Sequence, residues 1–399
     1  MSPVEATPAL RKTALNAVHR RLGAKMVEFN GWEMPVEYPA AMGCGIIAEH
    51  MAVRTAAGIF DVSHMGDIQI EGPEALSAVE HISMNDASRL AVGQAQYSAL
   101  LYPQGTFVDD VVVHRLGENE YLLVINAGTR ERDYNWVRDH TRGFDCTVRN
   151  LSDDFTQIAV QGPKAVGLVE EYTGADLSGV KFYWFTFAEA DLAGERTGKK
   201  RILIARTGYT GEDGFEIYLP SDPATSARAW NQLLEIGKPF GVVPCGLGAR
   251  NTLRLEAKLP LYGHEISDTI NVWEAGLDRF CKMEKPEFMG REALAEQKRK
   301  PLKRTLVGLE MAGRGIARDG YKVQAADGEQ IGYVTSGSPA PFLKKNIALA
   351  YVPPGRSTVG TELRVEIRGQ GVEARVVPTP FYQRPKKLAP RRSETTSKG

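Results

Sequence analysis

The sequence predicts an α+β protein with a small all-β unit at its C-terminal end, and three observations carry that reading. Residues 95–126 hold three consecutive strand-like runs, Gln96–Tyr102, Val108–His114 and Glu120–Asn126. Two segments about 90 residues apart, Ile68-Gln-Ile-Glu-Gly-Pro-Glu-Ala75 and Thr156-Gln-Ile-Ala-Val-Gln-Gly-Pro-Lys-Ala165, share the order strand, Gly-Pro, helix, which hints at a duplicated unit. Beyond residue 304, short runs such as Ile347–Val352 and Leu363–Ile367 are broken by Gly and Pro, as in a small barrel or sandwich.

In chain order, residues 1–10 read as a loose leader and Lys12–Lys25 as a basic stretch. A turn follows at Gly31 and Pro35, with Trp32 as a core plug. Gly45–Ala57 has helical spacing of Ile46, Ile47, Met51, Val53 and Ala56, and Gly58 is expected as its C-cap. Ile59–Glu71 reads as a strand pair joined near Met65-Gly66. Gly72–His81 reads as a helix opened by Pro73, and Thr129–His140 as a polar helix. Pro223–Lys238 places Trp230, Leu233 and Leu234 on one apolar side, and Cys245–Ala257 is a glycine loop feeding a helix. Gln297–Lys303 is a charged linker containing Pro301, and residues 385–399 have the composition of a disordered tail.

Composition narrows the function classes. A chain of 399 residues has material for about two to four domains. Lys plus Arg equals Asp plus Glu, so there is no global basic field to hold nucleic acid or an anionic membrane. No run approaches the roughly 18 apolar residues of a membrane span, and the N-terminus lacks a basic-then-apolar signal, so a cytoplasmic location is expected. Cys44, Cys146, Cys245 and Cys281 are far apart, which argues against zinc and disulfide frameworks.

Three constellations could carry chemistry. In Arg206-Thr-Gly-Tyr-Thr-Gly-Glu-Asp-Gly-Phe-Glu216, three glycines separate two strand-like runs, Ile202–Ala205 and Phe215–Leu219. Tyr209 inside that turn and Glu216 after it suit a flat, nitrogen-rich ring, one by stacking and the other by accepting paired N–H donors. A plain glycine hairpin with surface charges is the competing reading. Asp109-Asp110 lies in an apolar strand, where alternation sends one acid to an interior or cleft; the alternative puts both at an exposed strand entrance. Arg250, at the start of a helix after Gly246-Leu-Gly248, could clamp a carboxylate, or could join Arg254 in a structural network with Glu256 or Glu265. Gly246-Leu-Gly-Ala-Arg250 lacks the rest of a dinucleotide fingerprint, and Asp61, Ser63 and His64 are too close along the chain to converge as a triad. His64 is therefore expected to be packed or supporting, and His50 and His264 structural.

Taken together and in order, the motifs resemble a known family. Asn30-Gly-Trp-Glu-Met-Pro35, Ala52-Val-Arg54, Phe60-Asp-Val-Ser-His-Met65, Val108-Asp-Asp110, Val160-Gln-Gly-Pro163, Thr207-Gly-Tyr-Thr-Gly-Glu212, Gly246-Leu-Gly-Ala-Arg250 and Arg254-Leu-Glu-Ala257 all occur. The pattern continues through Leu261-Tyr-Gly263, Phe288-Met-Gly-Arg291 and Thr335-Ser-Gly337 into Pro380-Phe-Tyr382. Over roughly residues 12–384 the chain is similar to the aminomethyltransferase, or T-protein, family of the glycine cleavage system.

The resemblance implies a three-domain cloverleaf around a central folate-binding hole, with two α+β lobes of antiparallel sheets and a C-terminal β-barrel. The lobes would occupy 12–285, one inserted over about 60–150, and the barrel 300–384. Tetrahydrofolate would enter as one-carbon acceptor. Glu216 would hold the pterin N–H pair, Tyr209 and Tyr97 would line the ring, and Arg250 would face the p-aminobenzoylglutamate end. Asp110 matches the family's catalytic aspartate, and Asn126 would line the path of the partner's lipoyl arm. The implied reaction moves the one-carbon unit of S-aminomethyl-dihydrolipoyl H-protein to tetrahydrofolate. Its products are 5,10-methylenetetrahydrofolate, ammonia and dihydrolipoyl H-protein. No metal is implied.

Several positions depart from the family pattern: Gly105-Thr106 before the acid pair, His114, Asn251, and Gln383-Arg384 after the final Pro-Phe-Tyr, which puts folate contacts of Tyr382 or Arg384 in doubt. Folate-dependent demethylases share the implied fold. A non-catalytic folate-binding relative would carry a cysteine motif where this chain has Ala257–Glu265.

Overall fold

A computed structural model describes residues 9–42, 44–192 and 199–385. The first eight residues of the expected leader, and all but the first of the expected tail, lie outside the described residues.

Two large sheets, a two-stranded hairpin and a closed barrel organise the described chain. The five-stranded sheet runs, edge to edge, Ala95–Leu101, Phe107–Gly117, Glu120–Ile125, Gly66–Glu71 and Thr147–Asn150, all antiparallel. The six-stranded sheet runs Phe185–Asp191, Lys199–Ala205, Gly214–Pro220, Phe155–Gln161, Ala57–Asp61 and Val242–Cys245. Its last pair is parallel, one departure from the antiparallel expectation.

The duplication suggested by the Gly-Pro segments extends to the topology. In the first unit, strand Gly66–Glu71 leads to helix Ala75–Ile82, then to a three-strand meander whose last strand returns antiparallel to the first. In the second, strand Phe155–Gln161, helix Ala165–Thr173 and another three-strand meander repeat that path. The strand preceding each unit is exchanged: Ala57–Asp61 pairs with Phe155–Gln161, while Thr147–Asn150 pairs with Gly66–Glu71. The units meet through reciprocal backbone bonds, Ala95 N–H to Tyr183 O at 2.7 Å and Phe185 N–H to Gly93 O at 2.8 Å.

Strand exchange corrects two expectations. Gly58 is not a helix C-cap: helix Ile46–Thr55 ends earlier, and Gly58 sits inside strand Ala57–Asp61, where a Cβ would lie 2.6 Å from Cys245 Sγ and Val53 Cγ2. Met65-Gly66 is not a hairpin either, because Val62–Met65 carries the chain from one sheet to the other. Local pattern cannot separate a hairpin from a crossover between sheets, since both need a short break between apolar runs.

Residues 305–377 form a closed six-stranded barrel rather than a sandwich, in the order Thr305–Met311, Lys345–Val352, Gln330–Ala340, Lys322–Gln324, Glu362–Ile367, Gln370–Val377 and back to the first. Val307, Leu309, Val323, Val334, Val365 and Val376 fill its interior. Trp32 is buried as expected, with the Arg11 and Arg130 guanidinium groups 4.5 and 5.1 Å from its ring. Among the described residues no helix is long and apolar enough to cross a membrane.

Candidate active site

Period-two alternation in strand Gly214–Pro220 sets the first wall. Phe215, Ile217 and Leu219 enter the core of the second unit, and Glu216 and Tyr218 face a cavity on the other side. The turn before this strand is held from three directions. Arg206 donates to both carboxylate oxygens of Asp213, at 2.9 and 2.7 Å, clasping the two ends of the turn. The buried Arg54 guanidinium donates to Thr210 O at 2.8 Å and Glu212 Oε1 at 2.9 Å. Gln161 bonds Thr207 O and Thr210 Oγ1 at 3.1 and 2.8 Å. Gly211 adopts φ +81°, and a Cβ on Gly214 would lie 2.3 Å from Val160 O, so both positions need glycine. The plain-hairpin reading therefore fails, because the turn is clamped with Tyr209 and Glu216 against the cavity.

Glu216 accepts a hydrogen bond from Thr207 Oγ1. Burial pushes its pKa up, opposed by the Thr207 bond and the Arg250 charge. Tyr209 donates to Pro260 O and lies under the Arg250 guanidinium, 4.7 Å from ring centroid to Cζ.

Strand Phe107–Gly117 supplies the opposite wall. Val111 and Val113 enter the core of the first unit, while Asp110 and Val112 line the cavity. Asp109 is fully buried, so the exposed-entrance reading of the acid pair does not hold. The side-chain amide nitrogen of Asn126 lies 2.8 Å from an oxygen of each acid and donates to both. Tyr97 donates its hydroxyl to the second oxygen of Asp110 at 3.1 Å. Burial, and then the charge of Asp109, pushes the Asp110 pKa up to about 7. A carboxyl so placed can hold or release a proton at neutral pH.

Helix Leu247–Glu256 brings in the third group. The Glu49 carboxylate accepts from Gly246 N–H at 2.9 Å and Tyr38 N–H at 2.7 Å, seating the N-terminus of this helix. The two arginines of the helix differ. Arg254 is buried in a structural network, donating to Glu265 at 2.8 Å, Ser336 at 2.7 Å and Asn251 at 2.9 Å. Arg250 faces the cavity, contacts Met65 Sδ at 3.9 Å, and has no carboxylate within 4.0 Å among the described residues. Its charge is only partly answered by the Tyr209 ring, and burial lowers its pKa.

Asp110, Glu216, Arg250, Tyr209, Tyr97 and Asn126 all line one cavity of about 380 Å³. Its walls come from the two sheets, helix Leu247–Glu256, the loop 259–263 and the tip of the hairpin Lys25–Phe29/Trp32–Glu37. The barrel contributes no lining residue; it braces the 259–263 loop from behind through Glu265, which accepts from Leu261 N–H at 3.0 Å and Thr335 Oγ1 at 2.6 Å. Tyr382 and Arg384 are engaged outside the cavity, Tyr382 under the Arg54 guanidinium at 3.9 Å and Arg384 near Asp213 at 3.5 Å. His64 lines the cavity in neutral form, burial pushing its pKa down to about 4, while Ser63 bonds Asp61 at 2.6 Å; the two do not form a triad. His50 is packed against Thr252 at 2.8 Å, and His264 against Asp319 at 3.1 Å.

Sequence reasoning missed Tyr183. It lines the cavity in left-handed backbone, φ +62°, which costs a residue with a Cβ about 1–3 kcal/mol. Its counterpart 90 residues earlier is Gly93, φ +89°. One unit fills this backbone position with glycine and the other spends strain to aim a phenol at the cavity. Only the 90-residue register could have revealed it.

Two repeated units with a cavity between them, lined by the carboxyls of Asp110 and Glu216 and by the Arg250 guanidinium, define the class: an α+β protein with a polar, enclosed site between its repeats. Residues 15–285 match the GCVT N-terminal domain, and residues 304–383 match the glycine cleavage T-protein C-terminal barrel domain. The chain is 65% identical over 385 residues to an aminomethyltransferase of Koribacter versatilis, covering 96% of this chain and 99% of that one. It is 46% identical over 376 residues to the aminomethyltransferase of Bacillus subtilis, covering 94% and 100%. The crystal structure of the glycine cleavage system aminomethyltransferase T from Bartonella henselae superposes with a TM-score of 0.85 at 35% identity, covering 94% and 98%. The chain belongs to the glycine cleavage T-protein family, the aminomethyltransferases of the glycine cleavage system.

Proposed function

We propose that the chain transfers the one-carbon unit of an aminomethylated dihydrolipoyl H-protein to tetrahydrofolate. The observation that supports this most is the meeting of Asp110, Glu216 and Arg250 in one cavity, each with spare bonding capacity toward it. Tetrahydrofolate carries matching groups: an N–H pair on the pterin for Glu216, ring faces for Tyr209 and Tyr97, and a carboxylate-bearing tail for Arg250. With the pterin against Glu216, the reacting nitrogens face Asp110.

The donor is a thioaminal, S–CH₂–NH₂. Its amino group leaves with a proton as ammonia, and the CH₂ unit carries developing positive charge until a folate nitrogen captures it. Loss of the sulfur regenerates the dihydrolipoyl thiol, and the second folate nitrogen closes the methylene bridge. The two N–H protons of tetrahydrofolate balance those gained by ammonia and thiol. Asp110 stabilises the cationic carbon by its charge and takes or relays a folate proton. Asn126 and Tyr97 fix both of its oxygens and so its direction. The reaction uses soluble partners, and we place the enzyme in the cytoplasm.

The deciding experiment adds tetrahydrofolate and aminomethylated H-protein to the purified protein and measures ammonia and 5,10-methylenetetrahydrofolate. Equimolar formation of both is expected. Folate binding without either product would overturn the proposal, and one-carbon transfer from a methylated amine instead would move the chain to the demethylases.

A further inference from the structure

We propose that Asp109 and Asp133 share one proton, and that the single negative charge they retain is held against Asp110 to govern when that carboxyl ionises. The inference deepens the functional reading above and rests on it for its catalytic consequence, though not for its structural content. Asp109 and Asp133 would be positioning residues acting through Asp110.

Both acids are fully buried, Asp109 on strand Phe107–Gly117 and Asp133 on helix Arg130–His140. Three donors converge on Asp109: the Asn126 backbone N–H at 3.0 Å, the Asn126 side-chain amide at 2.8 Å and the Thr129 hydroxyl at 2.9 Å. A carboxylate has about four acceptor sites, so one is left. Asp133 is complementary. Its Oδ1 accepts from Arg132 Nε at 3.0 Å, and its Oδ2 is buried with no donor. An unsatisfied carboxyl oxygen beside a second carboxyl is where a proton belongs, because two bare carboxylates in contact repel strongly away from water. An O–H from Asp133 to Asp109 satisfies the orphan oxygen and fills the fourth site at once. Burial, then the Asp109 charge and hydrogen bond, pushes the Asp133 pKa up to about 10, in keeping with that assignment.

The asymmetry between the neighbouring acids follows. Asp109, saturated with donors, keeps the charge. Among the described residues the side-chain donors to Asp110 are Tyr97 and one Asn126 hydrogen, and it sits against that charge. The other groups facing Asp110 are the phenols of Tyr183 and Tyr209, both held protonated by burial. On the far side of the pair, Arg132 is bonded to Tyr262 at 3.0 Å as well as to Asp133. Glu216 and Arg250 act on one another across the cavity.

Carbon-13 NMR titration of the aspartate carboxyls in the free protein tests this without substrate. In the natural sequence Asp133 is expected to remain protonated through about pH 8, and Asp110 to titrate near 7. Asp109→Asn should lower the Asp110 inflection by about one unit or more, by removing the like charge. Asp133→Asn keeps a donor to Asp109 and should leave the Asp110 inflection in place. Ordinary titration of Asp133 in the unmutated protein overturns the proposal whether or not any variant folds. So does an unmoved Asp110 in folded Asp109→Asn, or a shift in Asp133→Asn as large as in Asp109→Asn. In the one-carbon assay the rising limb of kcat against pH should move with the NMR inflection. Titrations as expected in a protein that transfers no one-carbon unit would leave the pair standing and overturn only the functional reading.

Discussion

The Gln157 side-chain amide donates to the buried carboxyl of Asp67 at 2.5 Å, and the two residues occupy the same position in the two repeated units, 90 residues apart. Burial pushes the Asp67 pKa well above its ordinary value, and its second oxygen has no partner. The folded protein therefore binds a proton here that the unfolded chain releases near pH 4. This contribution to stability is full below that pH and is lost as pH rises toward the folded pKa. Asp67→Asn should abolish that loss, so its stability relative to the unmutated protein should improve between pH 5 and pH 8. Denaturant unfolding at both values measures it, and an unchanged difference would count against the assignment.

Asp110→Asn keeps the shape of the side chain and one of its two acceptor oxygens, with an NH2 donor in place of the other, but not its proton chemistry. Folding and tetrahydrofolate affinity should be retained while turnover falls by about 10²–10⁴. In the unmutated enzyme, turnover should rise with pH through about 7, as Asp110 loses its proton. Near-normal turnover in the asparagine variant would remove Asp110 from the chemistry.

Glu216→Ala removes an acceptor pair from a buried wall. Loss of hydrogen bonds of this kind costs about 1–3 kcal/mol, or roughly 10–100-fold in Kd for tetrahydrofolate. Calorimetric titration reads it directly, and an unchanged Kd would contradict the pterin assignment.

Arg54→Met should destabilise the protein by about 3–5 kcal/mol, because Glu212 and Glu256 would be left buried without their cation. Unfolding in urea gives the value. A loss below about 1 kcal/mol would mean that the clamp on the glycine turn lies elsewhere.

What the sequence made legible follows from local physics. Asp109-Asp110 in an apolar strand forces one acid to each face, and the structure puts Asp110 in the cavity and Asp109 under a helix. The helices over 130–140 and 223–236 and the meander over 95–125 follow from periodicity. Arg250 and Arg254 could not be told apart, because the partners that separate them, Glu265 and Ser336, come from a loop and from the barrel. Gly58 and Met65-Gly66 misled for the same reason: strand neighbours there are set by pairing across about 100 residues. Asp133 offered no signal, since a charged residue on a polar helix reads as solvated until Asp109 is found beneath it.

The exchanged strands impose an order on synthesis. The five-stranded sheet is complete in sequence once residue 150 has been made, because Thr147–Asn150 is its last strand. Ala57–Asp61, made much earlier and buried along its whole length in the finished protein, must wait for Phe155–Gln161 on one edge and Val242–Cys245 on the other. A nascent chain thus carries an apolar strand with both hydrogen-bonding edges open for about 100 residues of translation and one edge open for nearly 200, a natural point of entry for a chaperone and of misassembly without one.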